Sequence, residues 1–164
     1  MNDTRPSWDD IFMEIAFVFR KRSPDPTTRH GSLLVSQDKT EISLGYNGYP
    51  AGCHHDKMPK DRSRKYLITI HSESNAIDNA GFKLKGATLY VTGYPCHLCW
   101  QRIINKKIIR VVYGPVQSKC VDEQSRWASD LMLENQDILV EEYKGPFLQT
   151  MLEELSCNQL PQNP

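Results

Sequence analysis

A histidine and a glutamate stand two residues apart in the stretch TIHSESNAI, as His71 and Glu73, and a Pro-Cys-x-x-Cys run, Pro95 to Cys99, follows in GYPCHLCW. Thiolates and imidazole are the donors zinc prefers, and a carboxylate is a ready general acid/base. Spacing decides how they could be used. Cys96 and Cys99, at i and i+3, fall on one face at the first turn of a helix, and Pro95 suits a helix start. Backbone N–H groups at that end carry partial positive charge, which predisposes both cysteines to be thiolates. A lone Cys-x-x-Cys also serves as a redox pair or as half of a structural Cys₄ site. The redox use is weakened because a thioredoxin-like motif follows the first strand of a different strand order. The structural use is weakened because no second Cys-x-x-Cys exists to complete it. Three protein ligands with one position left open make the arrangement of catalytic zinc, and His71 would supply the third. Residues two apart in mid-helix point about 200° away from each other, so His71 and Glu73 cannot both coordinate one metal. With His71 at the first turn, Glu73 can reach the open position without touching the ion, as an acid/base. Taken alone, the same stretch also reads as a helix cap followed by exposed polar residues.

The elements that must position these groups follow from periodicity. WDDIFMEIAFVFRKRS carries apolar residues at Trp8, Ile11, Phe12, Ile15, Ala16, Val18 and Phe19, the pattern of an amphipathic helix that ends before SPDP. SLLVS and EISLGYNGY read as two strands of a hairpin joined by a polar turn over residues 37–39. Residues 50–64 are rich in Gly, Pro, His and basic side chains and read as a long functional loop. A short strand leads to His71 and a helix follows it. ATLYV, a helix from about Cys96 to Lys106, IIRVVYG, a helix over residues 122–134, and DILVEEY then alternate, and FLQTMLEEL forms a last helix. Alternation of this kind implies right-handed crossovers and a partly parallel sheet. The expected fold class is α/β, with one domain over residues 1–156 and a C-terminal tail over 157–164.

Composition narrows the function classes. The 164 residues hold 39% hydrophobic and 24% charged side chains, the balance of a folded globular chain. Twenty basic residues match twenty acidic ones, so no overall field favours nucleic acid or an anionic membrane. No basic leader followed by an apolar run and no membrane-length apolar segment is present, so a cytoplasmic location is expected. Five cysteines, three of them scattered as Cys53, Cys120 and Cys157, do not resemble a secreted disulfide framework.

His-x-Glu followed by Pro-Cys-x-x-Cys is the zinc-deaminase signature. The chain further resembles the deoxycytidylate (dCMP) deaminases, through SWDDIFMEIAF, SPDPTTRHGSLLV, SLGYNGYPAGC, RKYLITIHSESNAI, LKGATLYVTGYPCHLC and IINKKIIRVVYG, over roughly residues 7–114. The resemblance implies a three-layer α/β/α sandwich with a mixed five-stranded sheet. It also implies one Zn²⁺ per chain on His71, Cys96 and Cys99, with Glu73 as the proton shuttle. Glu73 would take a proton from water and deliver it to N3 of cytosine, with attack at C4 and loss of ammonia, converting dCMP to dUMP on the route to thymidylate.

Asn47 matches the asparagine that bonds the sugar hydroxyl, although Asn-Gly is also a hairpin-turn signal. The backbone N–H of Ser72 would hold a pyrimidine oxygen, and its hydroxyl, where relatives commonly carry alanine, is expected to matter little. The GYNG loop with Tyr46, Gly48 and Pro50 would contact a dCTP or dTTP effector, accompanied by Mg²⁺, at a contact in a homo-oligomer. Two positions depart from the pattern. Pro24 stands where a basic residue usually precedes Asp-Pro near the substrate phosphate, and GPVQSKC has no clear match for a tyrosine often found after the fourth strand. Replacement charge could come from Arg29, His30, Lys60, Arg62, Arg64, Lys65 or Lys119, with Arg29, Arg64 and Lys65 nearest by motif position. His54 and His55 beside Cys53 could form a second metal site. The same chemistry on another nucleoside or on a nucleic-acid base, and a non-catalytic zinc protein, are the competing readings. Neutral net charge opposes the nucleic-acid reading, and an intact Glu73 opposes the non-catalytic one.

Overall fold

Strand periodicity sets the layers. In the computed structural model, which describes residues 4–157, β1 (Gly31–Val35), β2 (Ile42–Tyr46), β3 (Thr88–Val91), β4 (Arg110–Tyr113) and β5 (Leu139–Glu142) form one sheet in the order β2-β1-β3-β4-β5. β1 pairs antiparallel with both β2 and β3, while β3, β4 and β5 run parallel. Successive side chains leave a strand on opposite faces, and the core divides accordingly. Leu33, Val35, Tyr90 and Val112 pack with α1 (Trp8–Phe19) and α6 (Leu148–Cys157) on one side. Leu34, Leu89, Val91 and Val111 pack with α3 (Ser72–Asp78), α4 (His97–Asn105) and α5 (Glu123–Leu133) on the other. The result is the expected three-layer α/β/α sandwich.

α1 starts where Ser7 and Asp10 exchange capping bonds, the Ser7 hydroxyl oxygen accepting from the Asp10 N–H at 3.1 Å. Its buried stripe is Phe12, Met13, Ala16 and Phe17, so Trp8 and Val18 from the periodic set remain exposed. α4 and α5 carry the chain from β3 to β4 and from β4 to β5, the crossovers that parallel neighbours require.

Two segments differ from expectation. The second hairpin strand stops at Tyr46 rather than reaching Tyr49, because Gly48 leaves the sheet to exchange backbone bonds with Ile70. No strand leads to His71. Residues 62–68 instead form α2 (Arg62–Ile68), started by Asp61, whose carboxylate accepts from the Arg64 N–H at 3.0 Å. Among the described residues no helix is long and apolar enough to cross a membrane. The tail expected over 157–164 falls outside the described residues apart from Cys157, the last residue of α6.

Candidate active site

Two helix starts meet at the site. His71 is the N-cap of α3 in extended conformation, φ −72° and ψ 154°, which places Glu73 at the second helical position rather than half a turn away in mid-helix. Cys96 is likewise an extended N-cap, of α4, with Cys99 in the first turn. Neither side chain makes a capping bond to its helix, and the two lie within reach of each other and of Cys99. The approach of α3 depends on Gly45 of β2, where a Cβ would lie 2.1 Å from the Ser72 carbonyl oxygen and 2.4 Å from the Ala76 nitrogen. Asn75 then ties the helix down, its amide donating to the Tyr46 carbonyl at 2.8 Å. Gly93, just ahead of α4, permits a similar approach, since a Cβ there would meet the Val116 carbonyl oxygen at 2.1 Å.

The donor atoms lie at 3.3 Å for His71 Nδ1 to Cys99 Sγ, 3.4 Å for His71 Nδ1 to Cys96 Sγ, and 3.8 Å between the sulfurs. A tetrahedral zinc with ordinary bond lengths separates two sulfurs by about 3.8 Å and a sulfur from a nitrogen by about 3.6 Å. The triangle therefore has the edges of a zinc site, and its His/Cys/Cys chemistry fits that ion. Among the described residues this is the sole group of three or more such ligands within reach of one another. His54 is exposed, and the His55 side chain lies outside the described residues.

Charge is distributed unevenly over the cluster. Hydrogen bonding from Cys99, aided by His71 and opposed by burial, holds Cys96 as a thiolate with its pKa down at about 4. The same thiolate, with burial and Glu73, pushes Cys99 up. Cys120 and then Cys96 raise His71 to about 11. A bound cation would displace the protons of His71 and Cys99, as ligation requires. Glu73 is buried, and desolvation raises its pKa against the opposing charge of His71.

A small cavity of about 40 Å³ opens beside the cluster. His71, Cys96, Ser72, Glu73 and Asn47 line it. Asn47 is not a hairpin-turn residue. Its Oδ1 accepts from the His30 N–H at 2.7 Å and its Nδ2 donates to the Thr28 carbonyl at 2.9 Å, so the amide is pinned with one N–H and one lone pair to spare.

The basic candidates lie elsewhere. Lys65 is buried and paired with Asp25 at 2.7 Å, and Arg64 sits exposed in the first turn of α2 near Asp61. Arg29 is exposed, donates from Nε to the Asp25 carbonyl at 3.0 Å, and lines a neighbouring groove that shares Thr28 with the cavity. His30 does line the cavity, but burial lowers its pKa to about 4, so it brings no charge near neutrality. Tyr46 packs edge-on to Phe19, Gly48 bridges to Ile70, and Pro50 is exposed. Sequence reasoning missed Asp25, Tyr66, Tyr94 and Cys120 in the lining. Cys120 reaches it from the loop after β4, the segment in which no tyrosine could be matched.

The zinc-binding region of cytidine and deoxycytidylate deaminases matches residues 6–115. A probable deoxycytidylate deaminase of Drosophila melanogaster is 35% identical over 149 residues, covering 84% of this chain and 71% of the fly protein. Deoxycytidylate deaminase of Mus musculus is 29% identical over 161 residues, covering 94% and 89%. The dCMP deaminase of cyanophage S-TIM5, in complex with dCMP and dUMP, superimposes with a TM-score of 0.67 at 19% identity over 86% of this chain and all of the phage chain, a likeness of fold. The matched region takes in both helix starts and the strands that carry them, and the chain belongs to the cytidine and deoxycytidylate deaminase family.

Proposed function

We propose that this chain hydrolyses dCMP to dUMP and ammonia. The observation that carries the reading is a buried Glu73 beside a His/Cys/Cys cluster of zinc dimensions, with Glu73, His71 and Cys96 lining one cavity. A zinc ion held by His71, Cys96 and Cys99 would supply Lewis acidity, making water a nucleophile near neutral pH. Glu73 would take one proton from water and deliver it to N3 of the cytosine ring as the water oxygen bonds to C4, then carry the remaining proton of the new C4 hydroxyl to the amino group, so that ammonia leaves and the C4 carbonyl of uracil forms. The Ser72 N–H, at the open end of α3, orients a pyrimidine oxygen. Asn47 has one donor and one acceptor to spare for a sugar hydroxyl. Arg29, in the groove that continues from Thr28, is the cation we assign to the phosphate, in place of a basic residue at Pro24. Arg64 and Lys65, the other sequence candidates, are engaged on α2.

Relatives named deoxycytidylate deaminases support dCMP as the substrate. We include in the proposal a cytoplasmic location, assembly into a homo-oligomer, and control by dCTP and dTTP with Mg²⁺ at the loop carrying Tyr46, Gly48 and Pro50. Light scattering, and rate curves with and without each triphosphate, test the last two. For the reaction itself, ammonia release is measured across dCMP, dCTP, deoxycytidine, CMP and deoxyadenosine monophosphate. dCMP should turn over fastest. Equal turnover of deoxycytidine would remove the phosphate from the reading, and no release from any of the five would remove catalysis.

A further inference from the structure

The Ser72 hydroxyl, given no weight on sequence grounds, faces the carboxylate that follows it. Ser72 Oγ lies 2.9 Å from Glu73 Oε2, and Ser32 Oγ lies 2.8 Å from Ser72 Oγ. Both serines are fully buried. Ser32 belongs to β1, an otherwise apolar strand, and pairs with Gly45 on one side and Val91 on the other, at the middle of the sheet. Alternation puts it on the same face as Leu34, beneath α3. A hydroxyl at such a position costs stability unless it is bonded, and here its partner is Ser72.

Proton counting fixes the direction of the chain. An ionised carboxylate only accepts, so the single Ser72 proton is committed to Glu73. Ser72 Oγ must then accept from Ser32, whose own proton is committed in turn. The relay therefore donates one way, from the centre of the sheet to Oε2 of Glu73. The backbone that carries Ser72 is held close to β2, where a Cβ at Gly45 would lie 2.1 Å from the Ser72 carbonyl oxygen.

We propose that Ser72 and Ser32 are positioning residues for Glu73, holding Oε2 as a permanent acceptor so that Oε1 alone carries the proton between water and substrate. This rests on the reading of Glu73 as the acid/base. A carboxylate free to rotate would present either oxygen, and the productive geometry would be populated for only part of the time. Neither serine needs to touch substrate through its side chain, so the loss should fall on turnover and not on binding.

The test is a cycle of Ser32→Ala, Ser72→Ala and the double variant, with Glu73→Gln as control, all loaded with zinc and assayed for kcat and KM on dCMP. Zinc content and thermal stability are measured in parallel. Ser72→Ala should lower kcat about tenfold and Ser32→Ala about threefold, within the range that misplacement of a catalytic group produces, while KM stays within about twofold. The double variant should match Ser72→Ala alone, because Ser32 acts only through Ser72. Wild-type kcat in Ser72→Ala, or a double variant whose loss is the product of the two single losses, would overturn the relay. If Glu73→Gln is inactive while the serine variants turn over normally, the relay falls and the role of Glu73 stands. If Glu73→Gln retains turnover, the acid/base reading itself falls and takes the relay with it.

Discussion

Replacing Lys65 by methionine tests whether the cavity wall is held by a buried charge pair. The Lys65 and Asp25 side chains are 9% and 8% exposed and 2.7 Å apart. At an effective dielectric of 20 their attraction at that separation is about 6 kcal/mol, and the desolvation of two ions offsets much of it. The variant leaves Asp25 buried without its cation, a change that costs about 3–5 kcal/mol in typical cases. Three donors remain on Asp25 Oδ1, the Thr27 N–H and hydroxyl at 2.9 Å and the Thr28 N–H at 3.1 Å. They place the expectation near the lower end, about 3 kcal/mol, or a fall in Tm of about 6–12 °C for a chain of this size.

Denaturant unfolding at pH 7 of wild type, Lys65→Met, Asp25→Asn and the double variant measures the loss. Removing both charges should recover much of it. The pH dependence has a fixed sign. Burial raises the Asp25 pKa, but Lys65 and the Thr27 and Thr28 donors overcome it, and the folded value lies below the ordinary 3.8. Its contribution is thus fully present above about pH 4 and is lost as pH falls through the lower folded value. The gap between wild type and Lys65→Met should close over that window. A loss under about 1 kcal/mol at pH 7, or a double variant no more stable than Lys65→Met, would refute the reasoning. Because Asp25 lines the cavity, and Tyr66 of α2 and Thr69 just past its end line it too, Lys65→Met should also weaken substrate binding.

Cys99→Ala should lose tightly bound zinc, since two donors remain where the triangle needs three; metal analysis showing one zinc per chain would contradict the site. Glu73→Gln should keep zinc and fold, because an amide of the same shape still accepts from Ser72, yet lose at least about a hundredfold in turnover. Residual activity above that level would mean that the proton travels by another route. Arg29→Ala should cost roughly ten- to a hundredfold in kcat/KM for dCMP, the worth of one charge-assisted hydrogen bond, and almost nothing for deoxycytidine. Equal losses on both substrates would move the phosphate away from Arg29.

Local pattern made much of the molecule legible in the sequence. The strand over SLLVS and the parallel half of the sheet, from strands and helices in turn, were legible because both signals reside within a few consecutive residues. The meeting of His71, Cys96 and Cys99 was legible for a related reason: ligand chemistry restricts residue type and spacing together. α2 was not, since a seven-residue helix has little periodicity and its one local signal, Asp61 three residues ahead of Arg64, was masked by a loop-like composition. Lys65 read as a substrate cation by its place in the chain, whereas the fold turns it onto Asp25, forty residues away in sequence and 2.7 Å away in space. The same holds for Ser32 and Ser72, at 2.8 Å. Which polar side chains meet inside a protein depends on the packing of distant elements, here β1 and β2 against α3 through the bare backbone of Gly45, and no local pattern records that contact before the sheet is assembled.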